Sequence, residues 1–313
     1  PAAPDSPEGY WLASSATGVL AVGHGAAGLF YAAQTLRQLV PEKGTRLAGV
    51  VIKDWPDFPW RMVQYDLARG QTIDLEYMKR FISQLAMRKI NQLMIYMEDD
   101  FQFKAYPFLG RPGTMDSSKA LELSEYAHKH QMQLIPQYES LGHAGAVLSH
   151  PELEQLREAG DAWVFCTSEP KTWEFLDTVM GELAQAFPYS PFIHIGGDEF
   201  EWSFGKCPQC KAYVEKQSKG ALYALHMSRL NELVKKRGKQ MLFWTAKDRF
   251  GSGEEEISLE YADLMPIDSI PFEWIYHGPS AYPTLAKYKE AGFENMYACP
   301  SVVDYSRIWP DYP

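Results

Sequence analysis

From residue 49 to the end of the chain, short apolar runs alternate with amphipathic stretches, and this alternation limits the possible folds more than any other feature. Runs of strand length lie at 62–67, 92–97, 132–138, 192–195, 240–244, 269–274 and 295–299. Stretches at 74–88, 117–129, 171–187, 221–237, 254–264 and 281–291 carry apolar residues at helical spacing. The first of these opens on Asp74 and closes on Arg88, Ser117 or Ser118 is the expected cap of the second, and Gly238 and Gly292 stop two others. A shorter helix is expected at 152–158. Strands separated by helices pair in parallel, because each return crossover needs the length a helix supplies. Seven such units in this span fit a (β/α)8 TIM barrel that lacks its eighth unit. An open doubly wound sheet is the runner-up, but no glycine-rich phosphate loop follows the first strand.

Ahead of the barrel, 8–13 and 18–22 read as two strands about a Thr17-Gly18 turn, and 28–40 reads as a helix stopped by Pro41. Two strands and one helix enclose too little core to stand alone. Residues 1–45 are therefore expected to pack against the barrel at 46–313, or on something absent from this chain. The stretch 41–60, with Pro41, Pro56 and Pro59, reads as the connector.

Charge and composition narrow the partners. Thirty Lys and Arg against 40 Asp and Glu give a formal net charge of −10, opposite to the basic surface a nucleic-acid binder needs. With no apolar run of about 18 residues, no membrane-spanning helix is expected. The start, Pro1-Ala-Ala-Pro-Asp5, lacks the basic and apolar regions of a signal peptide, and a trimmed secreted or periplasmic protein would begin the same way. Compartment and oligomeric state are not legible. Four cysteines do not make a disulfide scaffold. Cys207-Pro-Gln-Cys210 supplies two ligands at motif spacing where zinc needs four, so neither a metal nor a cofactor is expected. Aromatic residues reach 14%, enough both to fill a core and to wall a pocket for the flat faces of a ligand.

In a barrel of this kind the residues just past the strand C-termini line the active site. Those positions hold Asp66 and Arg69; Glu98, Asp99 and Asp100; Glu139 and His143; His194, Asp198 and Glu199; Trp244, Lys247 and Asp248; Glu273, Trp274, Tyr276 and His277; and Asp304, Tyr305 and Trp309. Acids, histidines and aromatics thus converge on one mouth. The sharpest segment is Phe192-Ile-His-Ile-Gly-Gly-Asp-Glu199. Two glycines admit close approach, and the two adjacent carboxylates at a strand end address different atoms of one substrate. Such neighbours also push each other's pKa values apart, which suits an acid beside an ionised stabiliser.

His194-Ile-Gly-Gly-Asp-Glu199 resembles the signature of glycoside hydrolase family 20, the β-N-acetylhexosaminidases. Glu8-Gly-Tyr with Gly28-Leu-Phe-Tyr-Ala-Ala-Gln-Thr-Leu-Arg-Gln-Leu39 resembles the end of the small α+β accessory domain that precedes the family's barrel. Pro56-Asp-Phe-Pro-Trp-Arg61 with Asp66-Leu-Ala-Arg69 resembles the first barrel strand, and 91–100 the second. Glu139-Ser-Leu-Gly-His143 is similar to the segment with the active-site histidine. The resemblance implies removal of terminal β-linked N-acetylhexosamine from a carbohydrate, with Glu199 as acid and base. It also implies that the substrate's own acetamido oxygen is the nucleophile, leading to an oxazolinium intermediate, with Asp198 holding the acetamide N–H. It further implies Arg61, Trp244, Trp274 and Tyr305 as sugar contacts, with His143 and His194 orienting the acid. Other readings stay open: Trp244 and Trp274 as barrel core, His194 as a core histidine, Arg61 as a structural ion-pair partner. So do two other functions, a metal-dependent hydrolase on His143, His194, Asp198 and Glu199, and a catalytically silent carbohydrate-binding barrel. With no eighth strand before Trp309-Pro-Asp-Tyr-Pro313, the chain is expected to be a fragment or a truncation of a longer enzyme, with an incomplete sugar pocket.

Overall fold

A computed structural model describes residues 2–40, 46–200, 202–245, 262–274 and 283–300. The chain opens with β1 (Tyr10–Ser15), β2 (Gly18–Gly23) and α1 (Ala26–Leu39). Strand β3 (Val50–Asp54) then pairs antiparallel with the free edge of β1, giving a three-stranded sheet ordered β2-β1-β3. The stretch 41–60 is thus not all connector; five residues between prolines carried too short an apolar pattern to read as a strand. Tyr10, Leu12, Tyr31 and Ala32 form the core of this piece. Tyr10 donates to Asp54 at 2.8 Å, and Lys89, at the end of a barrel helix, donates to Tyr10 at 2.9 Å, joining the small sheet to the barrel.

The barrel strands are β4 (Met62–Asp66), β5 (Gln92–Met97), β8 (Gln133–Tyr138), β11 (Phe192–His194), β12 (Gln240–Trp244), β13 (Ile270–Glu273) and β14 (Tyr297–Ala298). They pair in parallel in chain order from β4 to β14, so the expected partial (β/α)8 barrel is what forms. The crossovers carry α2 (Leu75–Met87), α3 (Ser117–Lys129), α5 (Pro170–Ala186), α6 (Pro208–Lys216), α7 (Lys219–Lys235) and α8 (Pro283–Glu290). The cap of α3 is Asp116, whose carboxylate takes the N–H groups of Ser118 and Lys119 at 2.9 Å, one position earlier than expected. The expected helix at 152–158 is a 3-10 turn at Pro151–Leu156. Residues 254–261 lie outside the described residues, and Ala262–Leu264 is a short 3-10 turn. Loops above the strands hold the short pair β6 (Phe101–Gln102) and β7 (Met115–Asp116), the turn α4 (Gly145–Leu148), and the hairpin β9 (Arg157–Glu158) and β10 (Asp161–Phe165).

Strand alternation divides the side chains into two layers. Leu93, Ile95 and Met97 of β5, Leu134 of β8, Ile193 of β11, and Met241 and Phe243 of β12 pack outward on the helices. Met94, Ile135, Phe192, Leu242, Trp244, Ile270, Phe272 and Tyr297 meet inside the barrel. The same parity turns Asp66, Glu98, Glu139 and His194 inward near the strand ends. The sheet curls far enough that Trp60, just before β4, stacks on Tyr297 of β14 with ring centroids 5.1 Å apart and planes 7° apart. Tyr297 also donates to Gln92 of β5 at 2.6 Å. The two end strands of the sheet therefore approach each other at the N-terminal mouth.

Candidate active site

The loop after β11 is shaped by its glycines. Gly196 has φ +71°, and a Cβ there would stand 1.8 Å from Glu139 Oε2. Gly142 is equally constrained, since its Cβ would fall 2.1 Å from the Asp198 carbonyl oxygen. Without side chains at these two positions the β8 and β11 loops close on each other, and Ser140 ties them by donating through N and Oγ to the Ile195 carbonyl. Glu199 itself has φ +47° and His143 has φ +51°. A non-glycine residue in this region is strained, and such strain collects at functional sites.

His143 lies between the paired carboxylates, with Nε2 3.1 Å from Glu199 Oε2 and 3.7 Å from Asp198 Oδ2. Trp163 of β10 donates from its indole N–H to the Glu199 carbonyl at 2.6 Å, and its ring lies 4.7 Å from the imidazole. Around them stand more acids. Glu139 is fully buried and accepts from Gln137 at 2.9 Å, and Gln137 in turn accepts from Gln64 at 2.8 Å. Arg69 bridges Glu98 at 3.2 Å and Asp66 at 3.4 Å and lies over the ring of Tyr96, whose hydroxyl donates to Glu98 at 2.7 Å.

Burial raises the carboxyls of this cluster. Asp198 is lifted to about 6 by desolvation and the nearby Glu199 charge, against the pull of His143. Desolvation and the Asp198 charge push Glu139 well above the usual range. Burial also raises Asp66 and Glu98, although Arg69 draws both down. For His143, burial works downward, but the hydrogen bond to Glu199 and the charges of Asp198 and Glu139 outweigh it and lift the imidazole to about 9. At neutral pH one protonated imidazole therefore stands among Asp66, Glu98, Glu139, Asp198 and Glu199, and the group holds fewer charges than it has carboxyls.

The other candidate residues divide. Trp244, the last residue of β12, lies 4.7 Å from the His194 ring and 5.6 Å from Phe272. Trp274 follows β13 and donates to the Thr245 carbonyl at 2.8 Å, so both tryptophans stand at the strand ends. His194 is fully buried, with Nδ1 accepting from the Gly196 N–H at 3.1 Å; desolvation drives its pKa far down, so it is neutral. Arg61 is not brought to this mouth. It precedes β4, at the opposite end of the strands, where its guanidinium binds Glu8 and the carbonyls of Lys89 and Phe58. Tyr305 lies outside the described residues. A groove of about 690 Å3 between α3 and α5, lined among others by Phe103, Ser117 and Glu182, contains none of these residues. Trp163 was not singled out in the sequence, because it stands on a hairpin inside a long loop with no motif around it.

The family's catalytic-domain model, "Glycosyl hydrolase family 20, catalytic domain", matches residues 58–257, and its "domain 2" model matches residues 1–55. The chain belongs to glycosyl hydrolase family 20. A Beta-hexosaminidase of Porphyromonas gingivalis is 28% identical over 282 residues, 78% of this chain and 36% of that protein. One from Akkermansia muciniphila is 27% identical over 278 residues, 76% of this chain and 54% of its own length. The chain thus spans between 36% and 54% of these two curated relatives. Among solved structures, a mutant Streptomyces plicatus beta-hexosaminidase in complex with product (GlcNAc) superposes with a TM-score of 0.73 at 25% identity, covering 96% of this chain and 61% of that one. The fold here is a partial barrel preceded by a small domain; among the described residues of this chain, no helix is long and apolar enough to cross a membrane.

Proposed function

We propose that the chain carries the catalytic centre of an exo-acting β-N-acetylhexosaminidase working by substrate-assisted retention. The supporting observation is the His143–Glu199–Asp198 arrangement at the C-terminal ends of barrel strands in a family 20 chain. Glu199 protonates the glycosidic oxygen as the acetamido carbonyl oxygen attacks the anomeric carbon and the leaving group departs. Asp198, ionised above about pH 6, accepts the acetamide N–H and stabilises the positive charge that develops there. Water then opens the oxazolinium at the anomeric carbon, returning its proton to Glu199 and leaving the configuration retained. The nucleophile is tethered to the reacting ring, so the chemical gain is proximity.

The proton needed for the first step stands on His143, protonated at neutral pH and 3.1 Å from Glu199. Trp244 and Trp274 wall the sugar and its acetamido methyl, Tyr305 donates to the acetamido oxygen, and neutral His194 props Trp244. Arg61 is omitted from the sugar contacts because its donors are engaged at the far end of β4. The small sheet through Asp54 is the accessory piece, and the barrel follows it. A metal-dependent hydrolase is less well supported, since His194 turns its ring between Trp244 and Phe272.

The test compares p-nitrophenyl β-N-acetylglucosaminide with its N-unsubstituted analogue. Turnover confined to the acetylated substrate, and lost in Asp198→Asn, is expected; equal turnover of both would rule out assistance by the acetamide.

A further inference from the structure

We propose that Glu158, Cys166, Cys207 and Cys210 form a structural zinc site that fastens the loop bearing Asp198 and Glu199 to the hairpin bearing Trp163. In the sequence the C-x-x-C pair offers only two ligands. Folding adds two more: one ligand atom from each of the four residues lies within 4.8 Å of the others. Cys166 Sγ is 3.5 Å from Cys207 Sγ and 3.9 Å from Cys210 Sγ. Zinc–sulfur bonds of about 2.3 Å in a tetrahedron place sulfurs roughly 3.8 Å apart, whereas a disulfide needs about 2.05 Å. Three thiols also cannot all pair with one another.

The surroundings fit a closed site. All four residues are buried, with Cys210 and Glu158 at 0% exposure. Glu158 Oε1 accepts the Cys207 N–H at 2.8 Å, while its buried Oε2 has no protein partner. A carboxylate oxygen left so is costly unless a cation takes it. Cys207 caps α6, and its sulfur accepts the Cys210 N–H at 3.3 Å, so the helix N-terminus favours negative charge there. Three thiolates and one carboxylate make a soft, four-coordinate set suited to zinc. On binding, the three thiol protons pass to solvent and the four zinc–ligand bonds form, with no redox change.

The placement gives the site its consequence. Cys166 lies three residues beyond Trp163, the residue that holds the Glu199 carbonyl, and Cys207 lies eight beyond Glu199. A metal here ties both sides of the acid's support together, at a distance from the reacting atoms.

The experiment uses the untagged chain produced in zinc-supplemented medium. Elemental analysis should give about one zinc per chain, as a complete four-ligand site requires. The metal should fall to background in the Cys207→Ser/Cys210→Ser double variant, and Glu158→Gln should hold it more weakly against a chelator. Because the double variant can fail to fold, the wild-type chain loaded with cobalt(II) supplies a second readout, the strong visible absorption of tetrahedral cobalt thiolate. Zinc-free protein that gives no such cobalt spectrum would overturn the proposal, as would a disulfide between any two of these cysteines.

Discussion

The Nε2 atom of His143 stands 3.1 Å from Oε2 of Glu199, and Trp163 holds the two in place by touching both. Glu199 is therefore held by two residues of the one long loop after β8 rather than by its own strand. Three segments far apart in sequence meet because β8 and β11 are neighbours in the barrel.

The Asp198 carboxyl predicts the acid limb of the rate profile. Its pKa of about 6 means that protonation below this value removes the acceptor for the acetamide N–H. The value of kcat/KM on an N-acetylated aryl glycoside should fall about tenfold per pH unit below 6, and Asp198→Asn should remove the limb along with most activity. A profile flat down to pH 4.5 would contradict the assignment.

His143 predicts a stability change of opposite direction. Its folded pKa, about 9, lies above the 6.5 of an unperturbed histidine, so its stabilisation is fully present below pH 6.5 and lost as pH rises through 9. The shift corresponds to about 3 kcal/mol for this mostly buried group. The Tm gap between wild type and His143→Gln should be widest below pH 6.5 and shrink toward pH 9.5. A gap independent of pH would show that the imidazole is not charged in the native state.

Gly196 predicts a packing failure. Alanine there would set a methyl 1.8 Å from Glu139 Oε2 at φ +71°. Thermal or urea unfolding of Gly196→Ala should show a loss above about 3 kcal/mol, or no folded protein. At Gly197 the nearest atoms to an added Cβ are side-chain atoms at 3.4 Å, so Gly197→Ala should cost less.

The barrel was legible because helix and strand periods differ, and six of its seven strands fall within one residue of the spans read from the sequence at each end. The strand Val50–Asp54 was not, since its pairing partner β1 lies far back in the chain and nothing local marks it. The Asp198–Glu199 pair was legible as a candidate site because glycines followed by two acids at a strand end have few structural uses. Arg61 illustrates the limit: a motif places a residue along the chain, but only the fold shows that its guanidinium reaches Glu8 and the Lys89 carbonyl. Trp163 and the gathering of Glu158 and Cys166 beside the C-x-x-C pair arise from a hairpin that carries no periodic signal.

The most direct test of the central claim is p-nitrophenol release from the β-N-acetylglucosaminide by wild type and Glu199→Gln, with the melting temperature of each as a control for folding. Glutamine keeps the shape of the side chain but can neither give nor take the proton. The variant should lose about 10²–10⁴-fold in kcat/KM while melting near the wild-type temperature. Equal rates for the two proteins would show that Glu199 is not the acid.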